Sequence, residues 1–339
     1  MIRKAYSKKV SFYFLLFIGV FPNLINCFPK KMLINKQIVN LRNTPSDIPK
    51  GLKLPCFSKD NPCQLSQLLL GEKILVIKEL KDGWLKIHAL EQVIYSISCK
   101  KTFPVVGYIK KDDATVVDEF PSNNLEWIHD EITLRNNLVK TASTFLGSLY
   151  CWGGRSSYTP KLTSEITGVD CSGLTNLVYR AHGLTIPKNS RSQFHLSEKI
   201  EHGKDVKPAD LIFFADPETP LKINHVMIYA GDGNVIESAG NITPAKVRII
   251  STKEKLGKPI EEITFGTQHN NHLVYFGSYL QTEEHIQKLR DAFLNIPEQS
   301  APTKSFDWSK ESLASKAQMD STTVDDFNKL TKSSGTEIQ

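Results

Sequence analysis

Cys171 and His225 are the residues of this sequence whose types and order could carry covalent catalysis. Cys171 is followed by Ser172-Gly173 and by apolar residues at helical spacing, Leu174, Leu177, Val178 and Ala181, which puts its sulfur at a helix N-terminus. There the unpaired amides and the helix dipole favour the thiolate, so the thiol pKa is expected to fall. His225 opens a predicted strand further along, and an imidazole brought to the sulfur would complete an activated nucleophile. Taken singly, a lone cysteine is more often a small buried hydrophobe, and a strand histidine a satisfied structural one. The elements around the two residues decide between these readings.

Asp130 reads as a helix N-cap, and Leu134, Leu138, Ala142, Phe145 and Leu146 form one apolar stripe behind it, with Gly147 placed to stop the helix. A second helix starts at Asp170-Cys171-Ser172 and ends at Gly183. The periodicity then shifts toward two, and residues 210–214, 225–230, 234–238 and 272–276 read as strands. Helices followed by an antiparallel sheet indicate an α+β domain. A last amphipathic helix is predicted from Glu283 to Asn295, and the Ser-, Thr-, Lys- and Gln-rich stretch 297–339 reads as a disordered polar tail.

Ahead of this domain the text is short strands and turns. Ile38–Arg42, Glu72–Ile77, Trp84–Ile87 and Val105–Ile109 alternate, with Thr44-Pro45-Ser46-Asp47 and Lys81-Asp82-Gly83 as turns. A small β-barrel is the expected outcome. The order Asn40-Leu41-Arg42, Leu70-Gly71-Glu72-Lys73-Ile74, Asp82-Gly83-Trp84-Leu85, Val106-Gly107-Tyr108-Ile109 resembles a bacterial SH3-like domain, which implies a targeting or substrate-gating module of a cell-wall enzyme.

Five motifs in series carry a second resemblance: Tyr150-Cys151-Trp152-Gly153-Gly154, Val169-Asp170-Cys171-Ser172-Gly173-Leu174, Ile186-Pro187 with Ser190-Arg191-Ser192-Gln193, Pro208-Ala209-Asp210-Leu211-Ile212-Phe213-Phe214, and Asn224-His225-Val226-Met227-Ile228-Tyr229. Together they resemble the NlpC family of bacterial cell-wall cysteine peptidases. The resemblance implies a papain-like α+β fold, Cys171 as nucleophile and His225 as general base. It implies hydrolysis of peptidoglycan stem peptides between γ-D-glutamate and the diamino acid. By the same match Asp170 and Ser172 line the substrate side of the cleft, with Asp170 set to meet a free α-amine, and Tyr150 closes the pocket near the sulfur. Trp152 and Arg191 are further substrate-binding candidates. One position departs from the family pattern: twelve residues after the base, where a second histidine is usual, this chain has Glu237. A carboxylate can accept from the imidazole N–H, so a Cys-His-Glu triad is chemically sound.

Charge and cysteine usage bound the rest. The 339-residue chain is 40% hydrophobic and 23% charged, values compatible with folded domains, and carries a formal net charge of +6. Residues 1–31 hold six basic and no acidic residues, which leaves 36 basic against 36 acidic elsewhere and no surplus for a nucleic-acid backbone. The basic start and the apolar run Val10–Phe21 read as a leader over residues 1–27, a signal peptide or, with lipidation of Cys27, a membrane anchor, so the protein is expected to be exported to the periplasm or cell envelope. The cysteines match no metal spacing, and no cofactor is called for. Cys56 and Cys63 could close a small disulfide loop, and Cys151 reads as packing.

The expected layout is a leader (1–27), an SH3-like domain (36–117), a peptidase domain (128–281) and a tail (297–339). An N-acetylmuramoyl-L-alanine amidase and a non-catalytic wall-binding or division scaffold are the competing functions.

Overall fold

The structure, a computed structural model, describes residues 29–122, 127–156 and 167–294. The leader, Cys27 and the tail lie outside the described residues.

Seven strands make the N-terminal sheet: β1 (Lys30–Ile34), β2 (Ile38–Arg42), β3 (Gln64–Leu69), β4 (Lys73–Glu79), β5 (Trp84–Ser96), β6 (Lys101–Lys110) and β7 (Ala114–Val116). Their order is β3-β2-β6-β5-β4-β1-β7, and the pairings that define it are antiparallel. The strands read from the sequence are present. Closure into a barrel is not: among the described residues no ladder joins β3 to β7. Inward residues such as Leu41, Ile74, Ile87 and Ile109 are fully buried, as alternation on one face requires. The first strand precedes residue 36.

The second half contains α1 (Glu131–Ser143), β8 (Arg155–Ser156), β9 (Gly168–Val169), α2 (Cys171–Arg180), α3 (Ser190–Leu196), β10 (Glu198–Lys199), β11 (Leu211–Asp216), β12 (Thr219–Gly231), β13 (Asn234–Ala239), β14 (Lys246–Ser251), α4 (Thr252–Leu256), β15 (Thr267–His269), β16 (His272–Ser278) and α5 (Glu283–Leu294). The main sheet runs β10-β16-β11-β12-β13-β14, antiparallel, with β15 on β16. This is the expected α+β arrangement. The Asp130 carboxylate accepts from the Thr133 amide and so caps α1, as its sequence suggests. That helix ends at Ser143, ahead of Gly147.

Two cores cover the two faces of this sheet. Leu134 and Leu138 of α1 and Leu174 and Val178 of α2 pack on Val226, Ile228 and Ile236. Met227, Tyr229 and Val235, one residue out of phase, face the opposite side against Leu256 and Ile260.

The two halves share a polar interface. Arg155 is fully buried and donates through Nη1 to the Gln67 carbonyl (2.8 Å) and to Glu72 (3.0 Å). Burial pushes the Glu72 carboxyl up, but the Arg155 and Arg180 guanidiniums hold it below its ordinary value. Arg180 also pairs with Glu91. The Lys188 amide donates to Val93 (2.8 Å), and the Tyr95 amide donates to Ser192 Oγ (2.9 Å).

Candidate active site

The site forms where two neighbouring strands part. The β12–β13 ladder runs from Gly231↔Asn234 to Ile228↔Ile236 and stops there. Into the opening beyond it comes the N-terminus of α2. The amide of Val226 on β12 is directed at the Cys171 sulfur, and Ser238 of β13 donates from Oγ to the Val169 carbonyl at 2.7 Å. Each anchoring residue is next in sequence to a predicted site residue: Val226 follows His225, and Ser238 follows Glu237.

His225 and Glu237 meet directly. The imidazole Nε2 donates to Glu237 Oε2 at 2.6 Å, so that in the neutral ring the lone pair is on Nδ1. Glu237 alternates in phase with Val235, and His225 with Met227 and Tyr229, so both lie on the same face of the sheet. Glu237 is fully buried, yet it is not held by His225 alone. Its Oε1 accepts from Arg248 Nη2 (2.8 Å) and Nε (3.0 Å), and Lys255 Nζ reaches Oε1 and Oε2 (3.0 and 2.9 Å). Burial pushes this carboxyl up, but the His225 bond and the Lys255 charge outweigh it and hold the group far below the usual carboxylate range. Arg248 stands opposite Glu237 in the β13–β14 ladder, and Lys255 comes from α4, a helix not foreseen in the sequence.

The sulfur differs from expectation. Burial first, and the neighbouring Asp170 carboxylate second, push the Cys171 thiol up to about 12. The amides of Val226, Ser172 and Cys171 pull the other way and lose. The helix N-terminus is there, but desolvation of a thiolate costs more than its partial charge returns.

Asp170 is the N-cap of α2. Its Oδ1 accepts from the Gly173 amide (2.6 Å) and Ser172 Oγ (3.0 Å), and its Oδ2 from the Gly153 amide (2.9 Å). Three of the roughly four acceptor positions of a carboxylate are thus committed to holding the chain. Ser172 is likewise turned inward, onto Asp170. Tyr150 is buried, stacked on Phe57 with ring centroids 5.6 Å apart, and its hydroxyl is pushed above its ordinary pKa by burial and by Asp170. Trp152 is 44% exposed, a large apolar face left open beside this segment. Arg191 lies on α3 near His195, and the α3 residue that reaches the site is Gln193, which donates to the Ser172 carbonyl (3.2 Å).

The cysteine expectation is corrected. Cys56 lies against Cys151, with Sγ atoms 3.0 Å apart, while the Cys63 sulfur accepts from Thr44 Oγ1. The loop from Asn43 to Gln64 turns Cys56 inward, toward the peptidase half, and leaves Cys63 near the surface.

Residues 147–258 match the NlpC/P60 family profile, and these are the residues that hold the elements just described. Over 103 residues the chain is 37% identical to a γ-D-glutamyl-L-lysine dipeptidyl-peptidase of Bacillus cereus, covering 30% of this chain and 28% of that one. Over 134 residues it is 28% identical to a bifunctional muramidase/DL-endopeptidase of Bacillus subtilis, covering 40% of this chain and 35% of that one. A solved NlpC/P60 family protein of Bacillus cereus aligns over 74% of this chain and 99% of its own at 20% identity, with a TM-score of 0.48. The similarity to the NlpC/P60 family is carried by residues 147–258. The matched segments span about a third of the length of the curated relatives.

Proposed function

We propose that the protein is an exported cysteine peptidase that cleaves peptidoglycan stem peptides at the γ-D-glutamyl–diamino acid bond, with Cys171, His225 and Glu237 as its triad. The observation that carries the reading is the His225–Glu237 bond placed beside the α2 N-terminus, with the Val226 amide at the Cys171 sulfur. The activities named for the relatives support the substrate class.

A thiol raised to about 12 is not a resting thiolate at neutral pH, so ionisation has to be coupled to proton transfer. His225 Nδ1 takes the proton as the sulfur attacks the amide carbonyl. The imidazolium that forms is stabilised by Glu237 through Nε2–H. The amides of Cys171 and Ser172 at the head of α2 are the donors suited to the oxyanion. Collapse of the tetrahedral intermediate passes the proton from Nδ1 to the leaving amine, and water, deprotonated by the same nitrogen, releases the acyl group. Asp170 has one acceptor position left for the free α-amine of a stem peptide, and Tyr150 and Trp152 flank it. Ser172 acts through Asp170, and Arg191 is the more remote candidate for substrate contact. The N-terminal sheet serves as the SH3-like module, and the leader directs export.

Digestion of purified muropeptides followed by mass spectrometry tests the assignment. Products split after γ-D-glutamate, abolished in Cys171→Ala, are expected. Release of intact stems from muramic acid would establish the amidase instead, and binding without any cleavage the scaffold.

A further inference from the structure

We propose that Cys56 and Cys151 are joined by a disulfide that ties the N-terminal sheet to the Tyr150–Trp152 segment of the active site. The sulfurs are 3.0 Å apart and both residues are buried, at 0% and 1% exposure. The backbone already holds the pair in register. Cys56 and Cys151 are partners in a parallel bridge, with the Cys56 amide donating to the Tyr150 carbonyl (3.2 Å) and the Trp152 amide to the Cys56 carbonyl (3.0 Å). Adjacent strands lie about 4.8 Å apart, inside the Cα separation of roughly 4.4–6.8 Å that a disulfide spans. The backbone spacing is compatible with the bond, and the sulfurs close from 3.0 Å to about 2.05 Å to form it.

Among the described residues the remaining thiols do not compete. Cys63 and Cys99 lie nearer the surface, and the Cys171 sulfur faces the Val226 amide. The bond therefore consumes two cysteines and leaves the proposed nucleophile free.

The oxidant required is a disulfide of the low-molecular-weight thiol or thiol-oxidoreductase class. One of the two cysteines, as its thiolate, attacks it, forming a mixed disulfide and expelling one thiolate. The other then loses its proton and attacks the protein sulfur of that mixed disulfide, expelling the second. Two protein thiols give up two protons and two electrons, and one external disulfide becomes two thiols. Because both sulfurs are covered in the docked protein, this exchange belongs to the stage before the two halves close.

The inference goes beyond the proposed activity and does not depend on it. The full chain is incubated unfolded with oxidised glutathione, refolded, denatured, blocked with N-ethylmaleimide and digested without reduction. A peptide pair linking Cys56 to Cys151 is expected, with Cys171 alkylated, and the link should persist in Cys63→Ser/Cys99→Ser. Dithiothreitol should lower the melting temperature by about 5–10 °C, in keeping with a crosslink across 95 residues. Cys151→Ser should show that lower value with or without reductant. N-ethylmaleimide on both Cys56 and Cys151 in the wild type, or a Cys56–Cys63 link, would overturn the proposal even if the variant failed to fold.

Discussion

The Lys255 ammonium spans both oxygens of the Glu237 carboxylate, at 3.0 and 2.9 Å, on the group that accepts from His225. Two cations, Lys255 and Arg248, are thus held beside the His225 imidazole by one buried anion. Removing that anion does more than free the ring, because the cations then oppose formation of the imidazolium. Glu237→Ala is expected to lower kcat/KM by about 10³-fold or more. Glu237→His, although it restores the residue usual in the family, should be nearly as poor, since it sets an imidazole between two positive charges. Combining it with Lys255→Gln should recover activity. Steady-state kinetics on a muropeptide decide the point, and a fully active Glu237→His single variant would refute the clamp.

Cys171→Ala should abolish hydrolysis and leave the fold intact. The side chain contributes one thiol at the edge of the α2 core, so the melting temperature is expected to move by only a few degrees. Activity surviving in this variant would end the proposed mechanism.

Asp170→Asn addresses the acidity of the sulfur. The amide keeps an oxygen for the Gly173 and Ser172 donors, gives up the bond from the Gly153 amide, and removes the charge that raises the Cys171 thiol. The pH midpoint for alkylation of Cys171 by iodoacetamide should therefore move down. An unchanged midpoint would remove Asp170 as a cause.

Burial, with help from Arg191 and Lys199, lowers His195 from 6.5 to about 4. Between these values the unfolded chain binds the proton and the folded chain does not, so stability is present above pH 6.5 and is lost as pH falls toward 4. Urea titrations across this window should show a steeper acid loss in the wild type than in His195→Gln. Parallel curves would assign the acid sensitivity elsewhere.

Glu72→Ala leaves Arg155 buried without its carboxylate. The expected cost is about 3–5 kcal/mol, far above that of a surface ion pair. Chemical denaturation would measure it, and a loss under about 1 kcal/mol would mean that water replaces the carboxylate.

The parts of the site that a short stretch of chain dictates were legible before the fold was known. Asp170 and Cys171 announce a capped helix start, and His225 and Glu237 lie on strands joined by a tight turn, so their meeting follows from pairing. Arg248 and Lys255 carried no such signal, because one arrives from the next ladder and the other from a helix of five residues. The same holds for Cys56, whose partner is set by how the two halves dock rather than by the nearest cysteine. The thiol acidity was misjudged for a related reason. A helix terminus is a local feature, whereas the desolvation that overrides it depends on everything packed above the sulfur.

The Arg155 contacts also bear on how such a chain can be recombined. Between the last strand of the first sheet and α1 lies the stretch where a chimera would ordinarily be cut. A graft made there would part Arg155 from Gln67 and Glu72, and Arg180 from Glu91, leaving two guanidiniums at the interface without the groups that pair them. Gene fusions that keep the protein folded are therefore expected to join ahead of Lys30, transferring both halves as one inheritable piece.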